Sequence, residues 1–181
     1  MVRGKGRSFG RFAAMVSTLV MFVFPLLMAF AASSDLLTMR ISNRLVLLLV
    51  AAFGVAAVAA GMPPPQIGMH AAGALLVLCV AFAFFAFGWI GGGDAKLAAA
   101  TALWIGFDGL LVYLVYAALL GGALTLAILF ARRLALPVAF VGVRWIGRLH
   151  DSKTGIPYGI ALAAAGILVY SQTPIFERLV A

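Results

Sequence analysis

Acidic residues are scarce in this chain, which contains 5 Asp and Glu residues against 13 Lys and Arg residues. Charged residues of both signs make up only 10% of the sequence, whereas hydrophobic residues make up 65%. A typical soluble domain has a much larger charged fraction. The composition therefore predicts an all-α, polytopic membrane protein with short loops and no sizeable soluble domain.

Cysteine is represented by Cys79 alone, which excludes an intramolecular disulfide and a thiolate metal cluster. Its place inside an apolar run indicates a small packing residue. His70 and His150 have no second metal ligand nearby in the sequence, so no metal or other cofactor is expected. The net charge of +8 does not indicate nucleic acid, because most Lys and Arg residues flank apolar stretches. There they act as topology signals and as contacts to anionic lipid.

About six helices are expected, since roughly 20 apolar residues span the hydrocarbon core. The fourth is short and follows a glycine-rich break. The expected ranges are residues 12–33, 44–61, 70–90, 94–106, 109–130 and 156–170. They form one membrane domain over residues 1–181, with a basic tail over 1–11 and a basic loop over 132–155. Within that loop, residues 137–150 are expected to lie on the membrane as an amphipathic segment.

Two of the acids stand at the ends of apolar stretches: Asp35 ends the first, and Asp94 follows the third. A carboxylate at the edge of a bilayer costs free energy, so it marks a functional site by default. The chain crosses away after Asp35 and returns before Asp94, which places both residues at the same membrane face. We therefore expect them to form a pair, with the first and fourth helices as neighbours.

Three consecutive glycines, Gly91, Gly92 and Gly93, precede Asp94. Each would cost roughly 1 kcal/mol relative to Ala inside a helix, so they predict a break that exposes backbone to a peptide and starts a helix at Asp94. A helix N-terminus favours an ionised carboxylate, whereas burial and a second carboxylate favour the protonated form. These opposed influences predict a pair that shares one proton and is suited to acid/base hydrolysis.

A purely structural interpretation stays open at this point. Asp35 could pair with Arg40 at a helix end, and Asp94 could cap its helix with Lys96 at the membrane interface. Arg40 and Asn43 are candidates for orienting the aspartates or a substrate, with ordinary interfacial anchoring as the alternative. On a helix Lys96 points roughly 200° away from Asp94, so contact with lipid head groups is its expected role.

The surrounding residues narrow these alternatives. Asp35 is followed by Arg40-Ile41-Ser42-Asn43, then by Gly91-Gly92-Gly93-Asp94-Ala95-Lys96-Leu97, and finally by Ile156-Pro157-Tyr158-Gly159. In this order they resemble the type IV prepilin peptidase family of GxGD aspartic peptidases, and in particular its small CpaA/TadV-like branch from Flp (tight adherence) pilus systems. Ser42 departs from the family pattern, which commonly has proline there, and this puts the local kink before the second helix in question.

The resemblance implies that Asp35 and Asp94 are the catalytic aspartates of an endopeptidase. Such enzymes remove the basic leader of a pilin precursor at the cytoplasmic face of the bacterial inner membrane, just before the precursor's hydrophobic segment. The family's larger members also carry a cysteine-containing domain linked to N-methylation, to which nothing here corresponds, so methyltransferase activity is not expected.

A cytoplasmic site also agrees with most of the positive charge, because five of the eight Lys and Arg residues at that end lie in the basic loop. The four basic residues of the tail would then lie outside. A translation start at Met15 would remove this conflict. The first stretch is long for a signal peptide and is expected to remain as a helix.

Two other classes of function remain open. A small proton-coupled transporter or channel would also use membrane-embedded acids and a helix broken by glycine, although the acids here lie at one face and not near the midplane. A non-catalytic assembly factor would leave both aspartates dispensable. The oligomeric state is not predicted.

Overall fold

The computed structural model describes residues 3–137, 140 and 142–180, with residues 3–17 described by their backbone alone. Over these ranges the chain forms seven helices and no strand, which confirms the predicted all-α class. The helices are α1 Arg3–Thr38, α2 Asn43–Ala59, α3 Pro64–Ala86, α4 Gly92–Ala131, α5 Arg144–His150, α6 Gly159–Tyr170 and α7 Pro174–Val180.

Three segments are long and apolar enough to cross a membrane: Thr18–Thr38 in α1, Pro64–Ala86 in α3 and Gly92–Ala131 in α4. The pair α6 and α7, bent by 53°, would provide a fourth span. With 17 residues, α2 is shorter than a usual span. The six predicted transmembrane helices are therefore not confirmed.

The ends of α1 differ from the expected ones. The helix begins at Arg3 and not at residue 12, so most of the basic tail continues it. It ends at Thr38 because Met39 has a φ of 54°, a left-handed conformation that stops a helix. The hydroxyl groups of Ser34 and Thr38 then donate hydrogen bonds to the carbonyl of Arg40, at 3.0 and 3.2 Å. These bonds fix the turn that leads to α2.

Ser42 forms the N-cap of α2, where its hydroxyl accepts a hydrogen bond from the backbone N–H of Leu45 at 3.2 Å. Its φ of −74° and ψ of 145° lie in the range that a proline would adopt. The serine therefore keeps the backbone direction that a proline would impose at this position and adds a helix cap.

The third helix starts earlier than expected. Pro64 occupies its first position, where the missing N–H of proline costs nothing. The helix ends at Ala86, and a non-helical stretch containing Gly88, with φ of 75°, leads to Gly91. The break that the sequence predicted over Gly91, Gly92 and Gly93 therefore lies earlier, at residues 87–91, because Gly92 and Gly93 already belong to the first turn of α4.

A second break lies inside α4 at Gly106, whose φ of 78° and ψ of 173° are not helical. The predicted division between residues 94–106 and 109–130 falls here. A break at this point removes the helical partner of the Leu103 carbonyl, and His70 of α3 replaces it by donating from Nδ1 at 2.8 Å. His70 is 3% exposed and thus joins α3 to the broken turn.

The two halves of α4 run past α6 in opposite directions. The first half starts at the Gly159 end of α6, and the second half returns to that end. Three close approaches show the path: Thr101 against Gly166, Gly109 against Val169, and Gly121 against Tyr158. The break at Gly106 therefore turns the chain back, and the first half, about 21 Å long at 1.5 Å per residue, does not span a bilayer alone.

An aromatic cluster joins α1, α4 and α6 at the end of the bundle remote from Asp35. Phe24 lies 5.0 Å from Trp104 and 4.7 Å from Tyr170, measured between ring centroids. Trp104 also donates a hydrogen bond from Nε1 to the Leu49 carbonyl of α2 at 3.0 Å. Cys79, predicted as a packing residue, is exposed on α3, because its side chain faces away from α4.

Candidate active site

Asp35 lies in the last turn of α1 and is 5% exposed. Its Oδ2 accepts a hydrogen bond from the backbone N–H of Gly159, the first residue of α6, at 2.7 Å. Among the residues that the structure describes, Asp35 forms no ion pair with Arg40, whose side chain is exposed. The structural interpretation of Asp35 as the partner of Arg40 is therefore wrong, because the carboxylate faces α6.

Asp94 occupies the third position of α4, and Gly91, not Asp94, is the N-cap residue. The partly buried carboxylate reaches back to the Gly91 backbone N–H, as an acid at this position does in a capping box. A β-carbon at Gly91 would lie 3.0 Å from Asp94 Oδ2. The glycine thus leaves room for the carboxylate at the start of the helix.

The two aspartates lie at the same end of the bundle, near enough for the charge of Asp35 to act on the Asp94 carboxyl group. Ile41, in the turn after α1, lies between α4, which carries Asp94, and α6, which binds Asp35. A β-carbon at Gly93 would lie 3.3 Å from Ile41 Cβ, and one at Gly159 would lie 2.8 Å from Ile41 Cδ1. Two glycines, from α4 and α6, therefore let both helices close onto the same side chain.

The other residues predicted for the site contact different parts of the bundle. Gly92 packs against Phe85, which a β-carbon at Gly92 would approach to 3.2 Å. Lys96 donates a hydrogen bond from Nζ to Asn43 Oδ1 at 3.0 Å. This bond joins the start of α2 to the second turn of α4, so the exposed side chain of Lys96 has a partner within the protein. The side chain of Arg40 is exposed, and among the described residues it forms no ion pair with either aspartate.

Gly159 was not predicted as a site residue, although it closes the Ile156-Pro157-Tyr158-Gly159 sequence. A β-carbon there would lie 2.7 Å from Asp35 Oδ2, closer than real side chains approach. Pro157 is fully buried just before it. The sequence does show a Pro-x-Gly pattern at the start of an apolar helix. This pattern predicts that the glycine packs closely against another segment, but it does not predict which residue it contacts.

The loop before α6 is held in place by Arg132, which donates to the carbonyls of Leu149, Thr154 and Gly155 at 2.7, 3.1 and 3.1 Å. Arg148 of α5 donates to the carbonyl of Leu37, which lies in the last turn of α1 together with Asp35. The described part of the basic loop therefore packs at the same end of the bundle as Asp35. Of the predicted amphipathic segment, residues 144–150 are helical, and residues 138, 139 and 141 lie outside the described residues.

This arrangement places two carboxyl groups at the same end of the bundle, with Asp94 in the first turn of α4 shortly after its exposed N-cap residue Gly91. Such a pair can accept a proton at one oxygen while donating one from another. Among the described residues, no group of three His, Cys, Asp or Glu side chains is placed to hold a metal ion.

A family model described as the type IV leader peptidase family matches residues 22–126. The match covers more than half of the chain and contains both Asp35 and Asp94. The chain belongs to this family. Comparisons with curated proteins and with solved structures gave no match.

Membership of the type IV leader peptidase family identifies a peptidase, and the apolar helices indicate a multi-pass membrane protein. The matched region ends inside α4. The Gly159 N–H that binds Asp35 therefore comes from a part of the chain beyond that region.

Proposed function

We propose that this protein is an aspartic endopeptidase that removes the leader from type IV prepilins with Asp35 and Asp94 as its catalytic residues. The observation that supports this most directly is the location of these two carboxyl groups at the same end of the bundle in a member of the leader peptidase family. Gly91, the exposed N-cap residue of α4, offers backbone beside which an extended peptide can lie.

In the proposed reaction, one aspartate is ionised and takes a proton from a water molecule. The water oxygen forms a bond to the carbonyl carbon of the scissile peptide, and the protonated aspartate donates its hydrogen bond to the carbonyl oxygen. The carbon–nitrogen bond then breaks as a proton passes to the leaving amine. A pair that shares one proton begins and ends this cycle in the same state.

The cytoplasmic face is the proposed location of the site. Its support is the positive charge at the Asp35 end, where Arg132 and Arg148 bind the loop and the end of α1. Basic residues accumulate on the cytoplasmic side of membrane proteins. The basic tail lies at the opposite end of the long helix α1, so its positive charge favours the opposite orientation in the membrane.

Precursors of Flp-type pilins are the proposed substrates, by the resemblance of the three sequence motifs to the CpaA/TadV-like branch. Processing of an Flp-type precursor but not of a larger type IV prepilin would support that assignment. The transporter alternative gains nothing from a match to a peptidase family, and no contact among the described residues favours it.

The decisive experiment is co-expression with an Flp-type prepilin, with leader removal read from the shift in precursor size. Asp35→Asn and Asp94→Asn should each reduce the rate by about 10²-fold or more, since positioned acid/base groups contribute 10²–10⁴-fold. Asp108→Asn is the matched control, because Asp108 is exposed at the other end of the bundle. Leader removal at the normal rate in either aspartate variant would refute the mechanism.

A further inference from the structure

Arg132 follows the last residue of α4, and its half-buried side chain binds both ends of the turn between α5 and α6. Its Nε donates to the carbonyl of Leu149, and its Nη2 donates to the carbonyls of Thr154 and Gly155. Leu149 lies in the last turn of α5, where carbonyl groups have no partner within the helix. One guanidinium group therefore fixes the start and the end of this turn.

The turn over residues 151–155 has little else to hold it against the bundle. Four of its residues are exposed, and only Thr154 is partly buried. Its other hydrogen bonds are local, within the turn or back to α5. Among the described residues, no hydrogen bond besides those of Arg132 joins the turn to α4. The planar fork of arginine suits this task, because it presents several donors in a fixed geometry.

The turn continues into a rigid segment that a second point on α4 holds. Pro157 is fully buried, and its ring fixes φ. The ring of Tyr158 lies against Gly121 of α4, where a β-carbon would overlap it. Gly121 and Arg132 lie on the same half of α4, roughly 16 Å apart along the helix at 1.5 Å per residue. This half of α4 therefore holds residues 149–158 at two points, directly before the first N–H of α6.

The segment from α5 to α6 makes two contacts with the last turn of α1. The Gly159 N–H donates to Asp35 Oδ2 at 2.7 Å. The side chain of Arg148 donates to the Leu37 carbonyl, which has no partner within the helix because α1 ends at Thr38. A shift of this segment would therefore move the hydrogen-bond donor of Asp35 and release the helical turn that carries the carboxylate.

We propose that Arg132 is a positioning residue for Asp35, because it holds the turn that places the Gly159 N–H against the carboxylate. Arg132 forms no ion pair with either aspartate among the described residues and acts through the backbone alone. The role rests on the proposed function, since it assigns to Asp35 a part in catalysis. It also places a determinant of kcat beyond residues 22–126, the region that matches the family.

The neighbouring Arg133 provides a matched control. It carries the same charge at the same end of α4, but its side chain is exposed and forms no hydrogen bond with the described residues. Arg132→Met and Arg133→Met therefore remove equal charge from one place, with equal influence on orientation in the membrane. Only Arg132→Met removes the bonds to the turn.

Hydrogen–deuterium exchange follows the Gly159 N–H without reference to catalysis. In purified protein, the peptide that contains Gly159 should exchange several-fold faster in Arg132→Met than in wild type or in Arg133→Met, because the amide opens more often. Exchange at the wild-type rate in Arg132→Met would overturn the proposal. If Arg132→Met does not fold, Arg132→Lys takes its place, since lysine keeps the charge and loses the fork; the same result is expected and the same result refutes it.

Precursor cleavage by the same proteins tests the link to catalysis. Arg132→Met should lower kcat by about tenfold or more with little change in KM, because a reacting group that moves by about 1 Å can lose about 10²-fold in rate. Arg133→Met should keep the wild-type kcat. Normal kcat in Arg132→Met, when Asp35→Asn is inactive, would refute the positioning role and leave the peptidase function standing. Normal cleavage by Asp35→Asn would refute both.

A double-mutant cycle separates positioning from general destabilisation. In a Gly159→Ala background the bond to Asp35 is already disturbed, so Arg132→Met should lower kcat much less than it does in wild type. Thermal unfolding of each variant is measured on the same samples. An equal fold-loss of kcat in both backgrounds would show that Arg132 does not act through the Gly159 N–H, and the proposal would fail.

Discussion

Replacing Gly159 by alanine tests whether the backbone N–H of α6 positions Asp35. The added β-carbon would lie 2.7 Å from Asp35 Oδ2 and 2.8 Å from Ile41 Cδ1. Contacts shorter than 3.0 Å do not persist, so the carboxylate must move away. It would then lengthen or lose the 2.7 Å hydrogen bond from the Gly159 N–H.

The expected magnitude follows from these distances. A hydrogen bond to a charged acceptor contributes about 1.5–3 kcal/mol, and a displacement of a reacting group by about 1 Å can lower the rate by about 10²-fold. We therefore expect Gly159→Ala to reduce kcat for leader removal by about 10²-fold. Overpacking should also lower the free energy of unfolding by about 1–3 kcal/mol.

The assay is the initial rate of precursor cleavage by purified enzyme in detergent, with thermal unfolding measured on the same samples. Gly166→Ala is the matched control on α6, because a β-carbon there would lie 2.8 Å from the methyl group of Thr101, far from the aspartates. It should lower stability by a similar amount and leave kcat of the folded enzyme near the wild-type value. Wild-type kcat in Gly159→Ala, or an equal fall of kcat in both variants, would refute the positioning role.

Two further predictions concern packing. Gly121→Ala should destabilise the protein and Gly122→Ala should not. A β-carbon at Gly121 would lie 2.3 Å from the Tyr158 ring, whereas nothing lies within 4 Å of a β-carbon at Gly122. Equal midpoints of thermal unfolding for the two variants would contradict this contact. His70→Phe removes the donor to the Leu103 carbonyl and should lower the free energy of unfolding by about 1–3 kcal/mol, the cost of an unsatisfied buried acceptor; an unchanged midpoint of thermal unfolding would show that the bond contributes nothing.

Several elements could be predicted because their signals are local. The apolar stretches predicted helices, and the glycines before Asp94 predicted a break between α3 and α4, although the break lies at residues 87–91 and α4 already begins at Gly92. The sequence also predicted that the long apolar stretch divides near Gly106, because Gly106 and Gly109 flank the acidic residue Asp108. Helix ends were less well predicted, because proline is tolerated at the start of α3 and the tail extends α1.

Other features had no local signal. The helix α7 was not predicted, since its seven residues are too few to show a periodic pattern. Cys79 was expected inside the bundle because its neighbours are apolar, yet in a membrane protein the lipid-facing side is apolar as well. Composition alone therefore does not separate the two sides of α3.

The sequence by itself determined the helical class, the scarcity of acids and their position at the ends of apolar stretches, because each of these is a property of composition or of neighbouring residues. Only the tertiary structure decided that the Gly159 N–H binds Asp35, that Ile41 lies between Gly93 and Gly159, and that Lys96 binds Asn43. These contacts join segments far apart in the chain. Which residues meet depends on how closely the helices pack, and glycines allow the closest approach.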